Sequence, residues 1–484
     1  MGDMAGIEVL LDEPGARINP NIYGHFAEHL GACVYQGLWC DGKVRQKVVE
    51  LVRRLRPAVI RWPGGCFADD YHWRHGVGPP QQRPLTINLH WGQDIETNAF
   101  GTHEFMDFCR SVGAEPYLCG NMGSGSPAEL RDWLEYCNFD GDSSLARQRL
   151  VNGSAQPFGV KYWALGNESW GCGGAFSPED YAGEFRRYST FMPDIGPTPL
   201  YLIACGPDGN NVQWTQRFME RLKRDGSCHV RLHGYAPHYY CGTAGTATEY
   251  DDQQWYELLI KAQRMEELIV HQRRALDEFD PQRRIGLCID EWGTWHPPTP
   301  GRNPRHLWQQ NTLRDAMVAA ITLDIFNRHA DKVAMANIAQ LINVLQAPLL
   351  AEGDQVLATP TYHVYELYQN HQGATSVPLV VQSDDALAGG TTAGSASLRG
   401  RTLTLTVTNP AIGQAWPARI TLRGGSAALV RQTVLTHDDL HAHNTFEQPH
   451  MVQPGPSRVL SLSGQCFEYV FAPQSITRLE IAVV

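Results

Sequence analysis

Short apolar runs rich in β-formers alternate with stretches of helical periodicity eight times between residues 22 and 368, and this constrains the fold more than any other feature. Ile22–Phe26 reads as the first strand, and Val44, Val48, Val49, Leu51, Val52 and Leu55 follow at helical spacing. Ala58–Trp62 is the second; it stops at Pro63-Gly64-Gly65, and a long loop leads to a helix over Thr102–Val112. Glu115–Cys119 precedes a helix over Pro127–Phe139, and Val160–Leu165 precedes one opened by the N-cap residue Ser177 and by Pro178. Tyr201–Cys205 pairs with a helix around Phe218 and Leu222. Val230–Tyr235, running on to Tyr240, pairs with Trp255–Phe279. Ile285–Ile289 with Asn311–Phe326, and Val333–Ile342 with Tyr362–Tyr368, complete the series. Eight strand–helix units in order predict an α/β fold, a (β/α)8 barrel with every strand C-terminus at one rim.

From about Val377 the texture changes to short alternating runs such as Leu403-Thr404-Leu405-Thr406-Val407-Thr408, punctuated by Gly, Ser and Pro. This predicts a C-terminal antiparallel β-sandwich, jelly-roll-like in type. The opening strand Ile7–Leu11 has no partner in a barrel that begins near Ile22, so it is assigned to the sandwich. The domains expected are residues 18–375 for the barrel and 1–17 plus 376–484 for the sandwich.

Two strands end in an acid beside a turn-forming glycine: Trp163-Ala164-Leu165-Gly166-Asn167-Glu168 on the fourth, and Gly286–Ile289 running into Asp290-Glu291-Trp292-Gly293 on the seventh. Glu168 and Glu291 are 123 residues apart, and only a closed fold brings both to one rim. Two facing carboxylates are the minimum for breaking a glycosidic bond, since one protonates the departing oxygen while the other attacks or activates water. Spacing alone is equally compatible with two unrelated glutamates, one capping a helix and one in a salt bridge.

Net charge is −11, from 40 Lys+Arg against 51 Asp+Glu, which disfavours nucleic acid and anionic membranes as partners and suits a neutral substrate. No apolar run reaches the roughly 20 residues needed to span a bilayer. Met1–Gly6 lacks the basic and apolar regions of a signal peptide, so a cytoplasmic location is expected. The twelve cysteines are scattered without Cys-x-x-Cys spacing, and all are read as reduced thiols, with Cys109, Cys119, Cys205 and Cys288 acting as small core hydrophobes. His25-x-x-x-His29 with Glu28 has zinc-like spacing, but His25 lies in a strand pattern, where that spacing does not converge. Gly171-Cys172-Gly173-Gly174 lacks the pattern of a nucleotide loop. No metal and no cofactor are expected.

Seven strings, in order, resemble the α-L-arabinofuranosidases of glycoside hydrolase family 51 over essentially the whole chain. They are Ile22–Leu30, Arg61–Phe67, Gly101–Phe105, Gly166–Glu168, Asp290–Trp295, Gln310–Ala316 and Met335–Gln340. The resemblance implies a retaining exo-enzyme, often hexameric, that removes terminal arabinofuranose from arabinan, arabinoxylan or short oligosaccharides. A β-xylosidase or endo-β-glucanase on the same carboxylates, and a non-catalytic carbohydrate-binding protein, are the alternatives.

Chemistry combined with that resemblance assigns roles. Glu168 matches the acid/base, protonated to donate and then deprotonated to activate water. Glu291 matches the nucleophile, which needs a nearby cation and hydroxyl donor; Arg61 and Tyr240 are the candidates. Asn167 is placed to bond the sugar 2-OH, and Glu28 and Gln340 match positions that bind furanose hydroxyls. Cys66 matches a pocket position, and Trp91 is a sugar-contacting candidate. Each has a plainer reading: an ordinary ion pair for Arg61, a satisfied core amide for Gln340, packing for Cys66. His238 either tunes Glu168 or bonds a backbone group. Phe26, Trp91, Trp292 and Trp295 are read as sugar-stacking walls or simple packing, with Trp91 alone kept as a candidate.

Overall fold

The computed structural model describes residues 5–224, 230–242, 244–382 and 393–484. Eight parallel strands close into a barrel in chain order: Gly24–Phe26, Val59–Trp62, Glu115–Gly120, Tyr162–Leu165, Tyr201–Asp208, Gly234–Gly242, Gly286–Trp295 and Val333–Ala339. Inside it Val59, Tyr117, Cys119, Ala164, Ile203, Ala236, Cys288 and Met335 pack into a core. The barrel is therefore filled, and chemistry is confined to its rim.

Helix boundaries follow local chemistry. Ser126 and Ser177 accept the backbone N–H of Glu129 and Asp180, each with Pro in the first turn. Thr312 and Asp315 form a capping box at the start of Leu313–Arg328. Outer helices such as Gln46–Leu55 bury one stripe, here Val48, Val49, Leu51, Val52 and Leu55. A short helix, Ser144–Val151, was not anticipated; its apolar residues Leu150 and Val151 stay exposed, so no buried stripe marks it. Among the described residues no helix is long and apolar enough to cross a membrane.

The first barrel strand is shorter than its apolar run. Pro20–Tyr23 is a 3-10 turn capped by Asn19, and Asn21 donates to the Tyr162 hydroxyl at 2.8 Å, closing the barrel floor before the strand starts at Gly24. The seventh runs further than expected, to Trp295.

The C-terminal region forms two packed sheets. One has six strands, Thr375–Val377, Ala393–Arg399, Thr402–Asn409, Ser475–Val483, Ala427–Thr436 and Arg458–Leu460, all antiparallel. The other has four: Leu379–Gln382, Ala5–Leu10, Trp416–Arg423 and Cys466–Phe471. Here the sandwich departs from a purely antiparallel one, because Ala5–Leu10 runs parallel to Trp416–Arg423. Ile7, Val9, Leu405, Ile420, Phe471 and Leu479 lie in its core.

Helix Leu313–Arg328 joins the two parts and is buried on every side, with the barrel on one face and the six-stranded sheet on the other. Its Asp324 accepts hydroxyls from Ser395 and Thr406 at 2.7 Å and from Tyr368 at 3.0 Å. Burial pushes this carboxyl up to about 6, so the three donors are what make an acid tolerable there. Asp324→Ala takes one acceptor from each of three buried hydroxyls, of which Ser395 and Thr406 keep other partners; a loss of about 2 kcal/mol is expected, read from the urea midpoint at unchanged slope.

Candidate active site

The chemistry-bearing residues sit where the strands end. On strand seven the pairing slips against both neighbours, between Tyr235 and Tyr239 of strand six and between Ile289 and Trp292 opposite strand eight. This bulged register lets the consecutive Asp290 and Glu291 both reach the interior. On strand six the period of two puts His238 and Tyr240 on one face, toward the same acids. Strand four turns through Gly166 and Asn167 into Glu168, whose backbone is left-handed at φ 38°. Gly173 lies behind this turn, where a Cβ would meet the Asn167 carbonyl at 1.9 Å.

Arg61 lies at the centre, 1% exposed. Its Nη1 donates to Glu291 Oε1 at 2.7 Å and its Nη2 to Asn167 Oδ1 at 2.5 Å, with Asp290 Oδ2 3.5 Å from Nε. The Tyr240 hydroxyl donates to the other Glu291 oxygen at 2.8 Å. Asp290 accepts the Tyr117 hydroxyl at 2.6 Å and meets His238 Nε2 at 3.0 Å. Burial opposes its charge, yet Arg61 and His238 hold its carboxyl below the usual range.

His238 bridges the acids: Nδ1 lies 2.9 Å from Glu168 Oε1 and 3.5 Å from Glu291 Oε2. Burial disfavours its charge, but Glu291, Asp290 and Glu168 outweigh burial and push the imidazole up to about 10. For Glu168 burial raises the carboxyl, the His238 bond opposes this, and the charge of Glu291 adds to it. Two carboxyls of one type are thereby placed in different surroundings, one shielded and biased toward its acid form, the other gripped by a guanidinium and a phenol.

The pocket wall comes from loops. Glu28 accepts the backbone N–H of Phe67 at 3.0 Å, the Trp91 indole at 2.9 Å and the Gln340 amide at 2.9 Å. Burial, with Glu291 adding, pushes Glu28 up to about 7. Gly65 is required beside it, since a Cβ would sit 2.6 Å from Glu28 Oε2. Buried Asp69 accepts backbone N–H groups from Met122, Gly123 and Asn167, tying the ends of strands three and four to the loop after strand two.

One expectation fails here. Cys66 is not a reduced thiol: it forms a disulfide with Cys172 on the loop after strand four. The two are 106 residues apart, and only barrel closure makes them neighbours. The Cys172 and Cys66 sulfurs stand 3.7 and 4.0 Å from Glu168 Oε2. Cys33, Cys40, Cys109, Cys119, Cys137, Cys205, Cys241, Cys288 and Cys466 are free, and Cys228 lies outside the described residues.

The profile of the α-L-arabinofuranosidase 1 domain matches residues 51–254, and that of the α-L-arabinofuranosidase C-terminal domain matches residues 290–475. An intracellular exo-α-L-arabinofuranosidase from Bacteroides ovatus is 38% identical, over 99% of this chain and 95% of its own length. The chain belongs to the α-L-arabinofuranosidases of glycoside hydrolase family 51. A family 51 arabinofuranosidase structure from Xanthomonas axonopodis pv. citri has a TM-score of 0.93 at 37% identity, over 99% of this chain and 100% of its own. The arabinose complex of the Thermotoga maritima α-L-arabinofuranosidase has a TM-score of 0.87 at 31% identity, over 98% and 99%.

Of the ten residues singled out, Arg61, Asn167, Glu168, His238, Tyr240 and Glu291 form one contact network with Cys66 against Glu168, while Glu28, Trp91 and Gln340 form a second group, near enough that the charge of Glu291 acts on Glu28. His238 bonds side chains, which removes the backbone alternative. Of the other aromatics, Phe26 lies under the Arg61 guanidinium and Trp295 meets Tyr240 edge-on, whereas Trp292 is buried against Phe326 and forms no wall. His25 packs on Tyr365 while His29 faces Glu96, so the two histidines point apart. Asp290, Asp69, Tyr117 and Cys172 were missed; Asp290's place beside Glu291 was the one available signal.

Asp290→Asn is expected to make His238 deprotonate at lower pH, followed by the imidazole 15N shifts. The raised imidazole contributes stability fully below about 6.5 that is lost as pH rises toward about 10. The wild-type melting temperature should therefore fall across that window more steeply than the variant's.

Proposed function

We propose that this protein is a retaining exo-α-L-arabinofuranosidase that releases terminal non-reducing arabinofuranose from arabinan, arabinoxylan or arabino-oligosaccharides. One observation carries the reading: oxygens of Glu168 and Glu291 lie within 4.8 Å of each other, with His238 between them. Retaining enzymes keep their carboxyls about 5–5.5 Å apart, whereas inverting ones leave about 6.5–9.5 Å for a water.

A Glu291 oxygen attacks the anomeric carbon while Glu168 passes its proton to the departing glycosidic oxygen. The His238 N–H occupies Oε1 of Glu168, so the transferable proton belongs on Oε2. An arabinosyl ester on Glu291 results. Water then gives a proton to Glu168 and attacks the same carbon, which releases arabinose with its configuration retained and restores both acids. Arg61 and Tyr240 hold Glu291 in line. Glu28, Gln340 and Trp91 form the polar wall that takes the furanose hydroxyls, and Asn167 meets the 2-OH. The Cys66–Cys172 bond supplies the wall opposite His238.

The same reading includes a cytoplasmic location, in line with the intracellular Bacteroides relative, and assembly as a homo-hexamer by family resemblance. Nitrophenyl arabinofuranoside should be the preferred substrate over nitrophenyl xyloside and carboxymethylcellulose. Glu291→Ala should abolish turnover, a drop of about 10⁴-fold or more. Glu168→Ala should keep much of its activity on dinitrophenyl arabinofuranoside and recover with azide, giving arabinosyl azide. Proton NMR of the first-formed sugar checks retention; xyloside preference, or activity in Glu291→Ala, would sink the reading.

A further inference from the structure

The Cys66–Cys172 bond takes no part in the proton and bond transfers of the double displacement. Both residues are half-buried, whereas Cys33, Cys109, Cys119, Cys137, Cys205, Cys241 and Cys288 are buried in the fold. Their sulfurs face Glu168 Oε2, the oxygen assigned the transferable proton, at 3.7 and 4.0 Å. The Asn167 side-chain amide also points at the Cys172 sulfur, at 3.8 Å. The bond thus touches both Glu168, which faces the departing oxygen, and Asn167, which faces the 2-OH.

We propose that Cys66–Cys172 is a reducible brace of the sugar pocket, and that its opening by a small dithiol slows protonation of the leaving group by Glu168. The inference rests on the arabinofuranosidase reading above. The chemistry is thiol–disulfide exchange: a thiolate of the reductant attacks one sulfur, the Cys66–Cys172 bond breaks, and a mixed disulfide forms. The reductant's second thiol closes on the first and releases the enzyme. Two electrons and two protons pass to Cys66 and Cys172, which end as thiols, and the reductant ends as a cyclic disulfide.

Closed, the brace offers Glu168 two sulfurs without a hydrogen, a weakly polar wall that does not stabilise a carboxylate. Open, it offers two S–H donors, and a donor to the charged form favours that form. The other groups around Glu168 do not change: His238 and Tyr240 from strand six, Glu291 from strand seven, Arg61 from strand two and Cys205 from strand five. The fraction of Glu168 carrying its proton at neutral pH therefore falls on reduction. Unbonded sulfurs must also separate, which moves the loop carrying Gly171–Gly174 away from the loop carrying Cys66. Substrates that need the proton suffer most.

The test compares enzyme purified without reductant, enzyme treated with dithiothreitol, and the treated enzyme reoxidised with oxidised glutathione. Free thiols at each cysteine are counted by iodoacetamide labelling and peptide mass spectrometry. Profiles of kcat/KM against pH are recorded for phenyl and 2,4-dinitrophenyl arabinofuranoside. Reduction should expose Cys66 and Cys172 and move the alkaline limb for the phenyl substrate to lower pH. At pH 8 the phenyl rate should fall about tenfold, part of the roughly 10²–10⁴ a general acid supplies, while the dinitrophenyl rate stays within about twofold. Reoxidation should restore both. The Cys66→Ser/Cys172→Ser double variant should show the reduced profile and ignore dithiothreitol. Superimposable profiles with both thiols labelled, labels at both positions before any reductant, or a bond that dithiothreitol does not open would each overturn the brace. Absence of turnover in every redox state would instead overturn the glycosidase reading.

Discussion

A buried guanidinium is costly unless it is matched by charge and packing, and Arg61 draws its partners from four other barrel strands. It meets Glu291 and Asp290 from strand seven and Asn167 from the turn after strand four, and it packs over Phe26 of strand one and Tyr117 of strand three. Such a group needs the barrel closed before it is stable, and once in place it fixes the separation of everything it touches. The spacing of the two acids is therefore a property of the barrel's circumference, set by side chains that do not react. Asp290 completes the arrangement from below. It shares Arg61 and His238 with Glu291, so that the two neighbouring acids are held by the same pair of cations.

The barrel was legible because its two periodicities differ. Strands buried on both faces read as continuous apolar runs, and the surrounding helices as single stripes. What was not legible is where tertiary contacts overrule local pattern. Ile22 and Tyr23 look like strand residues and are buried as such residues would be, but the bond from Asn21 to Tyr162 bends them into a turn that seals the barrel floor. Beyond Glu291 the strand carries on to Trp295, because Tyr239–Gly242 of strand six runs alongside and supplies partners where a loop was expected.

The site divides in the same way. Residues at strand ends, such as Glu168 and Glu291, announce themselves by an acid at the close of an apolar run. On the long loop after strand two, Cys66 is marked by family resemblance alone and Trp91 only by its aromatic side chain. Asp290 carries no sequence signal of its role beyond its place beside Glu291, since in a regular strand its side chain points away from the interior that Glu291 faces. The bulge that turns both inward has no signature in sequence. Cys172 sits among glycines whose purpose was equally hidden. Gly173 exists because the chain passes within touching distance of the Asn167 carbonyl, and that close passage is what carries Cys172 to Cys66.

A floor borne on strands and a wall borne on loops follow different rules. Arg61, Tyr117, His238, Asp290 and Glu291 hold one another through ladder-anchored backbones, so the floor is rigid and indifferent to which sugar sits above it. The wall is held by cross-links between loops: Glu28 to Phe67, Trp91 and Gln340, Asp69 to the turns after strands three and four, Cys66 to Cys172. Glu28 already has three N–H donors bound, which leaves few lone pairs for sugar hydroxyls. A wall so nearly saturated recognises a small ring by the few contacts still open to it. On the proposed function, selectivity for the sugar resides in the loops and the bond-breaking geometry in the barrel.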